Sequence, residues 1–218
     1  MKKHSLRIVG GDYRRTRIPV IDAIGLRPTP DRVRETLYNW LRHFWDGNFA
    51  NKRVLDLFAG TGALGFEAAS RGAAYVQMVE TNPAAITALR QLRTRLGANN
   101  VHIVPGDARA TLARRPAAPF DLVLLDPPFK REWLSTLWPG LPALMTPDGL
   151  LYVESESPID PPAAFERLRQ ARAGAVHFHL LRFAAPQRTR NNATTESNDY
   201  RERLEYRALE PPTHPKQE

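Results

Sequence analysis

From Arg53 onward the chain alternates between two kinds of segment, and that alternation narrows its fold more than any other feature. "RVLDLF", "AYVQMVE", "VHIVP", "FDLVLLD" and "GLLYVESE" have the length and apolar content of strands. Between them, "GALGFEAASR" and "PAAITALRQLRTRL" repeat at helical spacing and end at Gly72 and Gly97, and a shorter helix follows Asp107. A further helical segment, 131–145, is interrupted by Pro139 and Pro142. Strands separated by helices pair in parallel and carry helices on both faces. Near the end, "AFERLRQARAGAVHFHLLRF" admits a helix in its first half on propensity; two antiparallel strands turning at Ala173 and Gly174 are the preferred reading. The predicted fold is α/β: a doubly wound, mostly parallel, seven-stranded sheet with an antiparallel C-terminal strand.

The flanks differ from this core. "SLRIVGGDYRRTRIPV" reads as two short strands joined at Gly10 and Gly11, a hairpin signal. It carries Arg7, Arg14, Arg15 and Arg17 against Asp12, with Lys2 and Lys3 just before it. In "LRPTPDRVRETLYNWLRHF", Thr29 suits an N-cap, Pro30 the first helical position and Asp31 the positive helix start. Val33, Leu37, Trp40, Leu41 and Phe44 then form one stripe predicted to be buried. From about Ala184 the chain is polar and is expected to be disordered, apart from a helical turn around 200–209. The 218 residues thus divide into a basic N-terminal extension (1–28), one α/β domain (29–183) and a polar tail (184–218).

Charge and cysteine content exclude several classes. The 31 Lys and Arg against 23 Asp and Glu give +8, which favours an anionic partner. Nucleic acid ranks ahead of a membrane, because no basic amphipathic anchor stands out and no apolar run would span a bilayer. With no cysteine, disulfides, thiolate zinc sites and covalent catalysis through a thiol are excluded. The six histidines are scattered and suggest no metal. "MKKHSLRIVGG" has no apolar core of the secretory kind, so the cytoplasm is the expected location.

"LDLFAGTGALG" follows the first sheet strand and opens a helix, with glycines at 60, 62 and 65 in G-x-G-x-x-G spacing. The pattern alone is compatible with a tight turn. Its place between strand and helix makes it a ligand loop, built from Phe58, Ala59, Gly60, Thr61 and Gly62, with helix N–H groups behind it. Glu80 ends the next strand about 20 residues on, where an acid accepts from ribose hydroxyls; otherwise it is a solvated acid at a strand end. Such a loop serves NAD or S-adenosylmethionine. Asp56 would repel a pyrophosphate but suits a ligand ammonium, and Asp107, with Ala108, stands where an adenine amino group needs an acceptor. Both favour S-adenosylmethionine, although Asp107 is also a good N-cap.

The fourth strand ends "LVLLDPPF". A strand may simply stop at proline. Beside a cofactor loop the residue types say more. An exocyclic amine on a base is a poor nucleophile, since its lone pair is drawn into the ring. A carboxylate at Asp126 and the carbonyl of Pro127 accept both N–H protons and aim the lone pair. Pro127 and Pro128 preset the backbone, and Phe129 offers a face on which a splayed-out base stacks.

"GLRPTPDRVRETLYNWL", "DLFAGTGALGFEAASRGA", "DPPF" and "YVESE", in that order, resemble the bacterial small-subunit rRNA guanine-N2 methyltransferase family, type D, over roughly 5–183. The resemblance implies a Rossmann-like class I methyltransferase fold, S-adenosylmethionine as donor, and N2 of one guanine in 16S rRNA as acceptor. The substrate would be the small ribosomal subunit or an assembly intermediate. Independently of the resemblance, a monomer is expected. The resemblance also implies that Arg27, Pro28 and Thr29 approach the cofactor, that Arg32 and Glu35 line the active-site wall, and that Arg32 joins Arg7, Arg14, Arg15 and Arg17 as an RNA contact. "RPTP" departs from the commoner "RPTT", and the tail is longer. A DNA amino-methyltransferase and a non-catalytic RNA-binding assembly factor of the same fold remain the alternatives.

Overall fold

The computed structural model describes residues 6–20, 31–114, 116–128 and 133–184. Two short strands, β1 (Leu6–Arg7) and β2 (Arg17–Ile18), pair antiparallel and precede helix α1 (Asp31–Phe44). The alternating region follows as β3 (Arg53–Asp56), α2 (Ala63–Ser70), β4 (Tyr75–Glu80), α3 (Pro83–Leu96), β5 (Val101–Pro105), α4 (Ala108–Leu112) and β6 (Phe120–Leu125). Then come α5 (Trp133–Leu137), a 3-10 turn (Leu141–Leu144), β7 (Met145–Ser155), β8 (Phe165–Ala173) and β9 (Val176–Phe183).

Seven strands form one sheet in the order β5-β4-β3-β6-β7-β9-β8. β3 to β7 run parallel, and β9 runs against both of its neighbours. This is the doubly wound sheet the sequence predicts. In β6, Leu122, Val123, Leu124 and Leu125 are all fully buried, as expected of a central strand covered on both faces. One face packs Val54, Leu122, Leu124 and Tyr152 against α1, α2 and α3; the other packs Leu55, Val123, Leu125 and Val153 against α4 and α5. The ambiguous C-terminal stretch is the expected hairpin, turning at Gly174 with φ of +62°. Its outer strand exposes Glu166, Arg167, Arg169, Gln170 and Arg172, and that charge discourages pairing with another chain. No described helix is long and apolar enough to cross a membrane.

Two local expectations are refined by the structure. The N-terminal strands pair as the expected hairpin, but their connection extends well beyond Gly10 and Gly11. Each is two residues long, and residues 8–16 form a broad loop between them. The glycines serve contact with the end of α2. Asp12 N–H donates to the Ser70 carbonyl at 2.8 Å, and Ser70 Oγ donates to the Gly10 carbonyl at 2.5 Å. A Cβ on Gly11 would lie 1.8 Å from the Ser70 carbonyl oxygen.

The buried stripe of α1 is also wider than the sequence suggests. Val33, Leu37 and Leu41 are buried, while Trp40 and Phe44 are only partly so, and Arg34 and Tyr38 are buried as well. The helix lies between the sheet and the arm, so a second face is covered. Arg34 donates to the Arg7 carbonyl at 2.8 Å and to Asp31 at 2.5 Å; Tyr38 Oη donates to the Leu64 carbonyl at 2.6 Å. Arg27, Pro28, Thr29, Pro30 and Phe129, and the tail beyond Ala184 with the turn expected at 200–209, lie outside the described residues.

Candidate functional site

β3 and β6 are neighbours, but the chain leaves them in opposite directions: from β3 out to β4 and β5, from β6 across to β7. Loops that part in this way leave a crevice at the carboxyl ends of the two strands, the usual ligand position in open α/β sheets. Residues 57–62 follow the end of β3 and residues 126–128 follow the end of β6. The glycine loop and the proline-stiffened corner therefore stand at the carboxyl ends of two neighbouring strands, on either side of the switch point where a ligand crevice is expected.

The first of these segments is a tightly tied turn. Leu57 N–H donates to the Leu124 carbonyl at 3.1 Å, Ala59 N–H to the Val79 carbonyl at 3.0 Å, and Gly62 N–H to the Ala59 carbonyl at 2.6 Å. Gly60 and Gly62 have φ of +52° and +80°, a region where a side chain is strained. Gly62 is the N-cap of α2 and makes no side-chain cap bond, so this helix start offers N–H groups to a ligand. The third glycine acts in packing: a Cβ on Gly65 would lie 2.5 Å from Met78 Cε, so α2 presses directly on β4.

The acids around this turn differ in how they are used. Glu80 ends β4 and accepts the Gly60 N–H at 2.8 Å through Oε2, and the Thr81 and Asn82 N–H groups, each at 2.8 Å, through Oε1. It thus clamps the turn while retaining lone pairs for further donors. Asp107 caps α4, accepting the Arg109 N–H at 2.6 Å through Oδ1, and Ala108 behind it is buried. Asp56 lies beneath the turn and is 1% exposed. Its Oδ2 accepts the Gly65 N–H at 3.1 Å, while its Oδ1 is buried with no partner. Burial pushes its carboxyl up to about 7, against the pull of the Gly65 and Phe58 N–H groups; Glu80 and Glu154 add to the rise.

In the second segment, Asp126 is half-buried, Pro127 buried and Pro128 exposed. Asp126 follows the end of β6, two residues beyond Leu124, which pairs with Asp56 on one side and Tyr152 on the other, and it acts electrostatically on Tyr152. Thr61 is half-buried in the turn. Phe58 packs edge-on to Trp133, with ring centres 5.1 Å apart, and the Arg109 guanidinium sits 4.7 Å from the Trp133 ring.

Sequence reasoning missed Trp133, Tyr152 and Glu154 as neighbours of this crevice. The first lies in a helix too short for its facing to be read, and the other two sit within an apolar strand. Arg7, Arg14, Arg15, Arg17 and Arg32 are exposed on the arm and on α1, not in the crevice. Arg7 lies 3.8 Å from Asp31. Among the described residues, no three His, Asp or Glu side chains gather as metal ligands.

An unsatisfied buried carboxylate oxygen, an open helix start and two acids at successive strand ends suit a ligand that joins an amino acid to a nucleoside. Comparison with known proteins agrees. The family described as conserved hypothetical protein 95 matches residues 6–182. Ribosomal RNA small subunit methyltransferase D of Escherichia coli K12 is 39% identical over 180 residues, 80% of this chain and 88% of that protein. The protein of the same name from Buchnera aphidicola subsp. Baizongia pistaciae is 32% identical over 186 residues, 81% and 91% of the two chains. The solved structure of yhhF from Escherichia coli superposes with a TM-score of 0.74 at 38% identity, covering 84% of this chain and 99% of that one.

Proposed function

The chain belongs to the conserved hypothetical protein 95 family, and from that premise we propose that it methylates N2 of one guanine in 16S rRNA from S-adenosylmethionine. The working substrate is the small ribosomal subunit or an assembly intermediate, met by a monomer in the cytoplasm. The observation that supports this reading is the switch point between β3 and β6, with the glycine loop and Asp126 at the carboxyl ends of these two strands. The cofactor contributes a methyl carbon made electrophilic by its sulfonium.

The chain's own residues bind and orient. Asp56 takes the cofactor's ammonium with its free Oδ1, and the start of α2 takes the carboxylate. Glu80 accepts from the ribose hydroxyls while holding Gly60, and Asp107 and Ala108 meet the adenine. Phe58, Ala59, Thr61 and Gly62 shape the floor, and Arg27 and Thr29 join them as cofactor-binding residues. On the other side of the switch point, the Asp126 carboxylate and the Pro127 carbonyl accept the two amine protons of guanine. That holds the nitrogen lone pair toward the methyl and converts an encounter into an aligned approach. Phe129 stacks on the base, and Arg7, Arg14, Arg15, Arg17 and Arg32 contact phosphates.

Mass mapping of 16S rRNA from cells with and without the protein tests the reading. One guanine should carry an extra methyl only when the protein is present; label entering duplex DNA and not small subunits would overturn it. Asp126→Ala should lower kcat by about 10³-fold, the size of a lost charge-stabilising contact, with cofactor affinity little changed. Full activity in that variant would remove Asp126 as the amine acceptor.

A further inference from the structure

The carboxyl ends of β3, β6 and β7 each carry an acid, and the sheet turns all three to one face. Asp56 pairs with Leu124 and Leu124 with Tyr152, and the β6–β7 ladder continues through Leu125 and Val153. The ladder ends there, and the next residues, Asp126 and Glu154, both act electrostatically on the Tyr152 hydroxyl, which puts them on the side of Leu124 and Tyr152. Glu154 is 3% exposed in a strand where Leu151, Tyr152 and Val153 are fully buried. An apolar residue would sit there more favourably than a carboxylate. Glu154 is instead fixed by the Tyr152 hydroxyl, which donates to its Oε1 at 2.8 Å. Burial and then Glu154 raise the Tyr152 phenol well above its ordinary value, and Asp126 adds to the rise. Both carboxylates thus act on one buried hydroxyl. The unpartnered Asp56 Oδ1 marks the same face as one that a ligand completes.

Resting on the amine-methylation reading above, we propose that Glu154 is a positioning residue of the amine corner: held by Tyr152, it fixes a second negative charge beside Asp126, where the target nitrogen becomes positive. The nitrogen's lone pair forms the new N–C bond, and the former C–S bonding pair stays on sulfur. Positive charge then builds on nitrogen until one N–H proton passes to the Asp126 carboxylate. A fixed charge in a largely buried corner favours that build-up without having to reorganise.

Glu154→Gln keeps the volume and an amide oxygen for the Tyr152 hydroxyl but removes the charge. With the full chain and small subunits lacking the methyl, kcat should fall roughly 10- to 100-fold, as for one charge lost a few ångströms from a developing one. KM for the subunit and calorimetric affinity for S-adenosylhomocysteine should stay unchanged, and the melting temperature should hold or rise because a buried charge is gone. Tyr152→Phe should give a smaller kcat loss with binding equally intact. Wild-type kcat in Glu154→Gln would overturn the proposal, as would parallel losses in kcat, subunit binding and cofactor binding. Asp126→Asn separates the two levels of inference. If Asp126→Asn is inactive while Glu154→Gln is fully active, only the role of Glu154 fails; if Asp126→Asn is itself fully active, the amine corner fails with it.

Discussion

Two buried acids lie near opposite ends of α2 and are treated in opposite ways. Glu67, toward the C-terminal end, is fully buried and fully used. It accepts the Val9 N–H at 2.7 Å and the Gly10 N–H at 2.8 Å, and Arg71 meets it through Nε at 2.9 Å and Nη2 at 2.8 Å. Asp56, beneath the N-terminal end, is as deeply buried but keeps Oδ1 without a partner. One acid builds structure by completing its bonds inside the chain. The other leaves a bond to be completed by a ligand, at a cost in stability. Acids that hold the fold and acids that await a ligand can thus be told apart by which oxygens are satisfied, not by burial.

Removing the satisfied acid should do the most harm. Glu67→Leu strips acceptors from two backbone N–H groups and leaves Arg71 without its carboxylate. It should cost about 3–5 kcal/mol in urea unfolding and open the loop at 9–13 to protease. A loss below about 1 kcal/mol would show that the arm is held by other contacts.

Removing the unsatisfied acid should have the opposite sign. The Asp56 carboxyl titrates at about 7 in the folded chain against an ordinary 3.8, so the folded state holds this proton more tightly than the unfolded one. Its favourable contribution is complete below the unfolded value and is lost as pH rises from about 4 through about 7. At pH 8, therefore, Asp56→Asn should be more stable than wild type by a few kcal/mol, roughly, with the gain fading toward pH 4. The same variant should bind S-adenosylhomocysteine at least about tenfold more weakly at pH 8, as expected when a charge-assisted bond is lost. A variant both less stable and unimpaired in binding would erase the contrast between the two acids.

The contrast also explains what was legible in the sequence. Gly60, Gly62, Asp56, Glu80 and Asp126 stand at strand ends, where local rules of turn and strand already restrict their surroundings, so the crevice could be assembled from motif order. The Glu67 clamp could not. It joins residues 57 and 58 positions apart, and nothing in "GALGFEAASR" marks Glu67 as other than a solvated helix acid. Arg34 and Tyr38 were missed on α1 for the same reason: their partners, the Arg7 carbonyl of the arm and the Leu64 carbonyl of α2, are 27 and 26 positions away. The hairpin rule places Gly10 and Gly11 in the connection between two strands, where they are, but the need for glycine at Gly11 comes from the neighbouring helix end. Tyr152 and Glu154 read as ordinary strand residues, but the pairing of Tyr152 with Leu124 of β6 is a property of the sheet.

Gly11→Ala measures that tertiary demand more gently than Glu67→Leu. Its Cβ would meet the Ser70 carbonyl, and its φ of +75° is unfavourable for alanine, so a loss of about 1–3 kcal/mol is expected. Gly97→Ala is the control. Its φ is +62° but nothing lies within 4 Å of a Cβ, so only the backbone penalty of about 1 kcal/mol should appear. Equal losses at the two sites would mean that the arm yields where it touches α2.

The smallest effect is expected at Arg15, in the broad loop of the same arm. It is a non-glycine residue at φ of +69°, fixed there by its N–H donating to the Ile8 carbonyl at 2.8 Å. Arg15→Gly removes roughly 1 kcal/mol of backbone strain but gives back most of it through a freer unfolded chain, so stability should change by less than about 0.5 kcal/mol. If the exposed guanidinium contacts phosphate, subunit binding should weaken at low salt, and the slope of log affinity against log salt should flatten by about one. Unchanged binding would move the RNA surface off this part of the arm. Weaker binding at constant stability would make Arg15 the counterpart of Asp56: a residue kept in an unfavourable state for what it touches outside the chain.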